Sequence, residues 1–164
     1  MLRHIDLEGD DPRWFRVLVQ SVRYWGADQR PASDRGNWLE VLRMLLDHGV
    51  DPNVASGPDQ NLTMLHTVVS RNGPISESER VAHAAMLLDK GADLRAIDRN
   101  LQSTPLGWAS RWGKTELVGL YLDHDADPNL AGEPWAKPLV WAEKYGHGDI
   151  SAVLRGRGAT GISD

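Results

Sequence analysis

Residues 103–130 read STPLGWASRWGKTELVGLYLDHDADPNL, and this stretch decides the fold. Thr104 can cap a helix that begins at Pro105, because proline at the first helical position has no amide hydrogen to leave unpaired. Gly113 ends this helix, since glycine readily adopts the left-handed conformation that closes helices. A second helix carries the apolar run 117–122 and stops before an Ala-Asp-Pro-Asn turn. The stretch therefore predicts two short antiparallel helices joined by a glycine turn.

The same pattern occurs again on both sides of this stretch. Downstream, Lys137 opens another Pro-Leu unit, 33 positions after Thr104. Upstream, Thr63 opens a unit that ends at Gly91, and a Gly-Val-Asp-Pro-Asn turn at 49–53 ends a further unit with a degenerate start. A period near 33 residues indicates a repeat protein, in which each unit buries its apolar face against its neighbours.

These motifs resemble the ankyrin-repeat family, whose units carry a Thr-Pro-Leu-His start, a glycine between helices and a Leu-Leu-x-x-Gly-Ala-Asp end. The resemblance implies an all-α solenoid of about four helix-turn-helix units, one ankyrin-repeat domain over 1–164 with a degenerate first unit. Ser151 and Arg155 replace expected apolar residues, so we expect a polar C-terminal cap. Two departures from the family pattern are Gly107, in place of histidine, and Asp125, in place of glycine. We expect the repeats at about 12–55, 56–97, 98–130 and 131–160.

Two insertions interrupt the regular spacing. Residues 27–37 are rich in turn-forming side chains, which predicts a loop between the two helices of the first unit. The second unit is also extended, because Thr63 to Gly91 spans 28 positions where Thr104 to Asp125 spans 21. We expect these seven extra residues between the helices, around 74–78. Such loops either have no role and persist because a longer loop costs little to close, or form part of a binding surface.

Composition excludes several classes of function. The chain has 164 residues, a net charge of -5 and no cysteine, so nucleic acid is not favoured as a partner and disulfides and thiolate metal sites are ruled out. The first eleven residues contain four acids and no apolar run, which predicts neither a secretory signal nor a membrane helix. We therefore expect a cytoplasmic protein with no membrane partner.

Signals for catalysis and metal binding are weak. The six histidines do not fall at metal-ligand spacings, and no nucleophile, histidine and acid form a recognisable set. We expect no catalytic residue, no metal and no cofactor. The alternative is a small-ligand-binding protein or enzyme with a pocket under the inserted loops, where His66 or His83 acts as an acid or base. The family resemblance instead implies that His66 hydrogen-bonds neighbouring turns.

Aromatic residues precede the glycine that ends the first helix in three of the four units. The resemblance places this helix end on the concave face, where family members commonly contact partners. Exposed aromatic and arginine side chains are typical of interface hot spots, although large rings also cover hairpin turns. The partner-binding candidates at these helix ends are Tyr24, Trp25, Arg71, Arg111, Trp112, Lys144 and Tyr145.

The turns between repeats supply four further partner-binding candidates: Asn100, Leu101, Ser103 and Trp135. Trp135 either inserts into a partner or folds back over neighbouring prolines. Trp108 and Trp141 lie within helices and are expected to pack between units. The sequence thus predicts a non-catalytic protein–protein interaction module, an inhibitor or a scaffold, whose partner carries an acidic and partly apolar patch.

Overall fold

The computed structural model describes residues 10–11, 13–23, 38–57, 59–69 and 76–162. These residues form eight α-helices and a 3-10 helix at Pro134–Ala136. Within the described ranges, strand-like pairing is limited to one isolated bridge between Ser103 and Ala131. The α-helices are α1 (Arg13–Arg23), α2 (Trp38–Asp47), α3 (Met64–Val69), α4 (Glu77–Asp89), α5 (Pro105–Arg111), α6 (Thr115–Asp123), α7 (Pro138–Lys144) and α8 (Gly148–Gly156).

The helices pack as successive hairpins. In each hairpin the first helix contacts the second: α1 with α2, α3 with α4, α5 with α6 and α7 with α8. The first helices also contact one another in chain order, and so do the second helices. The predicted all-α architecture, in which each unit packs on its neighbours, is confirmed.

Apolar side chains from every hairpin form one continuous core. Leu18, Leu42, Leu87, Leu117 and Leu154 are all fully buried and belong to the same cluster. Each comes from a different helix, so no hairpin buries its apolar face alone.

The second helix of every hairpin ends in the same way. The closing residue has a positive φ, and the residue after it donates its amide hydrogen to a carbonyl five positions back. For example, the amide nitrogen of Ala126 lies 3.0 Å from the carbonyl oxygen of Tyr121. Asp125, with φ 61°, takes the conformation that glycine takes at the three matching positions. The four closing residues are Gly49, Gly91, Asp125 and Gly158.

The extra residues of the second unit are not all in a loop. Helix α4 has 13 residues, whereas α6 and α8 have 9 each, so the helix itself is longer by about one turn. Ser76 caps it in a reciprocal capping box with Glu79. The expectation of a loop through 74–78 is therefore wrong for Glu77 and Ser78. The predicted loop at 27–37 lies outside the described residues, as do residues 70–75.

The fourth unit differs from expectation at Ser151. Its side chain is 4% exposed, and its hydroxyl donates a hydrogen bond to the His147 carbonyl at 3.0 Å. Ser151 follows the fully buried Ile150 and points inward with it, so it contributes nothing to a polar outer face. Arg155, in contrast, is exposed as expected.

Candidate protein interface

The ends of helices α5 and α7 bring a cation among three aromatic rings. Arg111 is the last residue of α5, and Trp112 is its C-cap. The guanidinium carbon of Arg111 lies 4.9 Å from the ring centre of Trp112, 4.3 Å from that of Trp141 and 4.4 Å from that of Tyr145. All three distances are within the range of cation–π attraction. We call Arg111, Trp112, Trp141 and Tyr145 the Arg111 cluster.

Two exposed rings rest on the one buried ring of this region. Trp141 is 3% exposed, whereas Trp135 and Tyr145 are 45% and 42% exposed. The ring centres of Trp135 and Trp141 are 5.8 Å apart and edge-to-face, and those of Trp141 and Tyr145 are 6.0 Å apart. The expectation that Trp141 packs inside is confirmed, and Trp141 forms the floor under two accessible rings.

Ser103 fixes the position of that floor. The indole nitrogen of Trp141 donates to the Ser103 hydroxyl oxygen at 2.7 Å, and this hydroxyl donates to the Ala136 carbonyl at 2.8 Å. Ser103 is fully buried, so its assignment as a partner-binding residue is wrong. Gly107 leaves room for this arrangement, because a Cβ there would lie 3.0 Å from the Ser103 side chain.

Asp98 organises the turn that leads into α5. One carboxylate oxygen accepts the amide hydrogens of Asn100 and Leu101, both at 2.8 Å. The other accepts from the Ser103 amide at 3.1 Å and from the Trp108 indole at 2.8 Å. Of the predicted turn residues, Asn100 is exposed and Leu101 is half-buried. Asp98 was not a candidate residue, although aspartate is a common turn residue because its side chain accepts the backbone amide hydrogen two residues on.

His66 joins this turn to the preceding hairpin, as the family resemblance implied. Its Nδ1 lies 2.9 Å from the Thr63 hydroxyl, and its Nε2 lies 3.2 Å from the Ser103 carbonyl. Burial lowers the pKa of His66 to about 4, against the opposing effects of the Ser103 carbonyl and the Asp98 charge. Trp108 packs edge-on against His66 at 5.6 Å, which confirms its predicted place between units.

The histidines proposed for an enzymatic alternative are both buried. Each ring nitrogen of His66 is within hydrogen-bonding distance of a protein atom, which leaves none to exchange a proton with a substrate. His83 places its Nδ1 2.7 Å from the Glu79 carbonyl, and burial lowers its pKa. The predicted loop at 27–37 and residues 70–75 lie outside the described residues, and so do Tyr24, Trp25 and Arg71.

The surface around the Arg111 cluster is locally basic although the chain is acidic overall. Lys144 is exposed, and its ammonium nitrogen lies 5.3 Å from the Trp141 ring centre. Its neighbour Glu143 forms an ion pair with Arg155. Between residues that the structure describes, neither Arg111 nor Lys144 forms an ion pair.

A second, mostly apolar feature lies on the first hairpin. A groove of about 420 Å³ opens there, and three large hydrophobic side chains of this hairpin, Val17, Val41 and Met44, are exposed. The residues lining the groove are Trp14, Val41, Met44, Leu45, His48 and Val50.

In the described part of the chain no three acidic or histidine side chains gather as a metal site. None of the helices in that part of the chain is long and apolar enough to cross a membrane.

Comparison with known proteins identifies similar sequences. A family model for ankyrin repeats, in three copies, matches residues 32–132. ZDHHC13 of Danio rerio is 30% identical over 120 residues, which cover 73% of this chain and 17% of that protein. Palmitoyltransferase ZDHHC13 of Mus musculus is 33% identical over 92 residues, and palmitoyltransferase ZDHHC17 of Homo sapiens is 32% identical over 91. Each of these two matches covers 56% of this chain and 13% of the relative, so the chain spans less than a fifth of the relatives it matches.

Proposed function

Because this chain belongs to the ankyrin-repeat family, we propose that it binds a partner protein through the surface formed by the ends of α5 and α7. Ankyrin repeats are protein–protein interaction modules, and the choice of this surface is our proposal. One observation carries it: Trp135 and Tyr145 are each more than two-fifths exposed, and both rings pack on Trp141, over which the half-buried Arg111 guanidinium lies. Large rings and arginine at a partly desolvated site are the side chains that contribute most to interface energies.

The charges of this surface define the partner that it fits. Arg111 lies against the exposed Tyr145 ring and Lys144 against the Trp141 ring beneath it. Both provide positive charge at this surface, so the complementary surface is acidic and partly apolar. Asn100 and Leu101 extend the proposed contact toward the turn before α5, while Trp112 contributes mainly by supporting Arg111. Tyr24, Trp25 and Arg71 stay predictions from sequence.

We further propose that binding, rather than catalysis, is the whole activity of this segment. The palmitoyltransferase relatives are much longer proteins, of which this chain matches 13 to 17%. A rigid stack of hairpins presents its surface without rearrangement, which serves an inhibitor and a scaffold equally well. The cytoplasm is the compartment we predict for it.

The test is affinity capture from an extract of the source organism. The bait is the full chain, compared with a Trp135→Ala/Tyr145→Ala variant whose helical circular dichroism is unchanged. We expect the variant to capture at least about tenfold less partner than the parent. Each hot-spot truncation typically costs about 1 kcal/mol or more of binding free energy, and about 1.4 kcal/mol corresponds to a tenfold change in affinity.

A Val41→Ala/Met44→Ala variant is the matched control, since it also removes two exposed apolar side chains, but from the groove on the first hairpin. The control should capture as much partner as the parent. Loss of capture by the control alone would move the interface to the groove and contradict the proposal. Capture of no protein by the parent would contradict a partner-binding function for the isolated chain.

A further inference from the structure

We infer that the Arg111 cluster is a receptor for one carboxylate of the partner, supplied by an Asp or Glu side chain or by a free C-terminus. The inference rests on the proposed function and sharpens it from an acidic patch to a single anionic group. It follows from the environment of the guanidinium, from the absence of an acceptor for it among the described residues and from the rings around it.

The aromatic rings hold the guanidinium without using its hydrogen-bond donors. Three ring centres lie between 4.3 and 4.9 Å from the Arg111 guanidinium carbon. An aromatic face attracts the positive charge, but it offers no lone pair to the in-plane N–H groups. The rings therefore restrict the rotamers of Arg111 and leave its fork of donors for another acceptor.

The chain supplies no such acceptor from its described residues. The Arg111 Nε is buried and has no hydrogen-bond partner among them, so the donors that a ligand can reach belong to the two terminal nitrogens. Two acids of the neighbouring hairpins face other cations, since Glu143 pairs with Arg155 and Glu77 lies 3.6 Å from Lys114. A half-buried cation without a counter-ion is costly, and a ligand carboxylate would remove that cost.

The rim of the cluster favours a carboxylate over a more highly charged anion. The rings of Trp112 and Tyr145 lie against the guanidinium, and desolvating a dianion beside them costs more than desolvating a single charge. A carboxylate matches the arginine fork in a bidentate geometry, and an adjacent apolar side chain of the ligand can cover Trp135.

The probe is a pair of displayed libraries of random 12-residue peptides, one with free C-termini and one with blocked C-termini. Each library is selected on the parent chain, on Arg111→Gln and on Arg95→Gln, which removes an exposed arginine of another turn as the charge-matched control. On the parent and the control we expect peptides with Asp or Glu at one fixed position, or a requirement for the free C-terminus. On Arg111→Gln we expect that preference to disappear.

Synthetic peptides give the quantitative test without altering the protein. Replacing the selected Asp by Asn or Glu by Gln, or amidating the C-terminus, should weaken binding to the parent about 10- to 100-fold. The same change should weaken binding to Arg111→Gln less than about threefold, because the two groups act as one pair. Arg111→Lys, which keeps the charge but not the fork, should give an intermediate loss.

Several outcomes would overturn the inference. Selected peptides that bind through Trp135 and Tyr145 but show no acid preference would refute the carboxylate receptor and leave the proposed function standing. Tighter binding when a phosphoserine replaces the acid would assign the cluster to phosphate instead. No peptide from either library, together with successful partner capture in the earlier test, would refute recognition of a carboxylate in a linear segment.

Discussion

The junction between the third and fourth hairpins is built differently from the junction between the first and second. At both junctions apolar helix packing is joined by an ion pair, between Lys90 and Asp47 at 2.6 Å in the first and between Arg157 and Asp123 at 2.7 Å in the third. The third junction also contains buried polar contacts, in which Trp141 bonds to Ser103, and the Arg111 guanidinium lies over the Trp141 ring. Among the described residues, the two exposed large aromatic rings, Trp135 and Tyr145, both lie at the third junction.

A second contact is also common to both junctions. The Asn53 side chain donates to the Gly91 carbonyl at 3.1 Å and accepts from the Asp93 amide at 2.7 Å. Asn129 repeats this pairing with the Gly158 carbonyl at 3.0 Å and the Thr160 amide at 2.7 Å. We call this paired contact the asparagine clip. Since the clip is the same, the two junctions differ in their interiors rather than in how their turns are joined.

This difference suggests how a repeat scaffold acquires a specific surface. An apolar junction tolerates small shifts, because dispersion contacts have no fixed direction. A buried polar network fixes the position of each group, since a displaced donor or acceptor would lose its partner. The network of Asp98, Ser103, His66, Trp108 and Trp141 therefore positions the exposed rings.

The largest expected effect follows from removing the centre of that network. Asp98→Ala leaves three amide hydrogens and the Trp108 indole without their carboxylate acceptor. We expect the free energy of unfolding to fall by about 3–5 kcal/mol, the usual cost of breaking a buried charged network. Urea denaturation followed by circular dichroism measures this loss.

Asp93→Ala is the matched control, because that carboxylate accepts one amide hydrogen, from Arg95, at an exposed turn. The control should cost less than about 1 kcal/mol. If Asp98→Ala and Asp93→Ala destabilise the protein equally, the network has no special role and the contrast between junctions is wrong.

Much of the fold was predictable from local sequence. Thr104 caps α5 by accepting from the Gly107 amide at 3.2 Å, and the helix begins at Pro105 as predicted. The longer α4 was also encoded, because the Ser-Glu-Ser-Glu stretch at 76–79 contains the capping box that begins it. The shorter spacing of the other units instead favoured a loop for the extra residues.

The candidate site was less predictable because its burial depends on neighbouring repeats. Ser103 stands in a polar turn, and sequence gives no sign that Ala136, 33 positions later, supplies its acceptor. Sequence identified Arg111, Tyr145 and Trp135 separately, but the contact of Arg111 with Tyr145 across two hairpins is a property of the assembled stack.

The second effect is a pH dependence from His66, which joins the network to the preceding hairpin. Its pKa falls from 6.5 to about 4 because it is buried. Below pH 6.5 the unfolded chain therefore binds a proton that the folded chain excludes, so the free energy of unfolding falls as pH falls from 6.5 to 4. Since one pH unit corresponds to about 1.4 kcal/mol, we expect about 2 kcal/mol less stability at pH 5 than at pH 8 from this group.

Denaturation of the parent and of His66→Gln at both pH values isolates this contribution. His83 has a pKa lowered by burial too, so the variant should keep part of the pH dependence and His83→Gln should remove that part. An unchanged difference between pH 8 and pH 5 in His66→Gln would show that His66 titrates alike in both states, against its proposed place in the network.

The smallest expected effect comes from adding the asparagine clip to the second junction. Arg95 occupies the position that corresponds to Asn53 and Asn129, and the matching atoms on the next turn are the Asp125 carbonyl and the Asp127 amide. Arg95→Asn should raise the free energy of unfolding by about 0.5–1 kcal/mol relative to Arg95→Ala, as expected for exposed hydrogen bonds.

The reverse change, Asn53→Ala, removes the existing clip at the first junction and should lower stability by about 1 kcal/mol. If the clip works at any junction, the gain at position 95 and the loss at position 53 will be of similar size, and the interior network alone distinguishes the junctions. A loss at position 53 without a gain at position 95 would mean that the second junction holds its turns at a different spacing. The contrast between junctions would then lie in backbone geometry as well as in the buried polar groups.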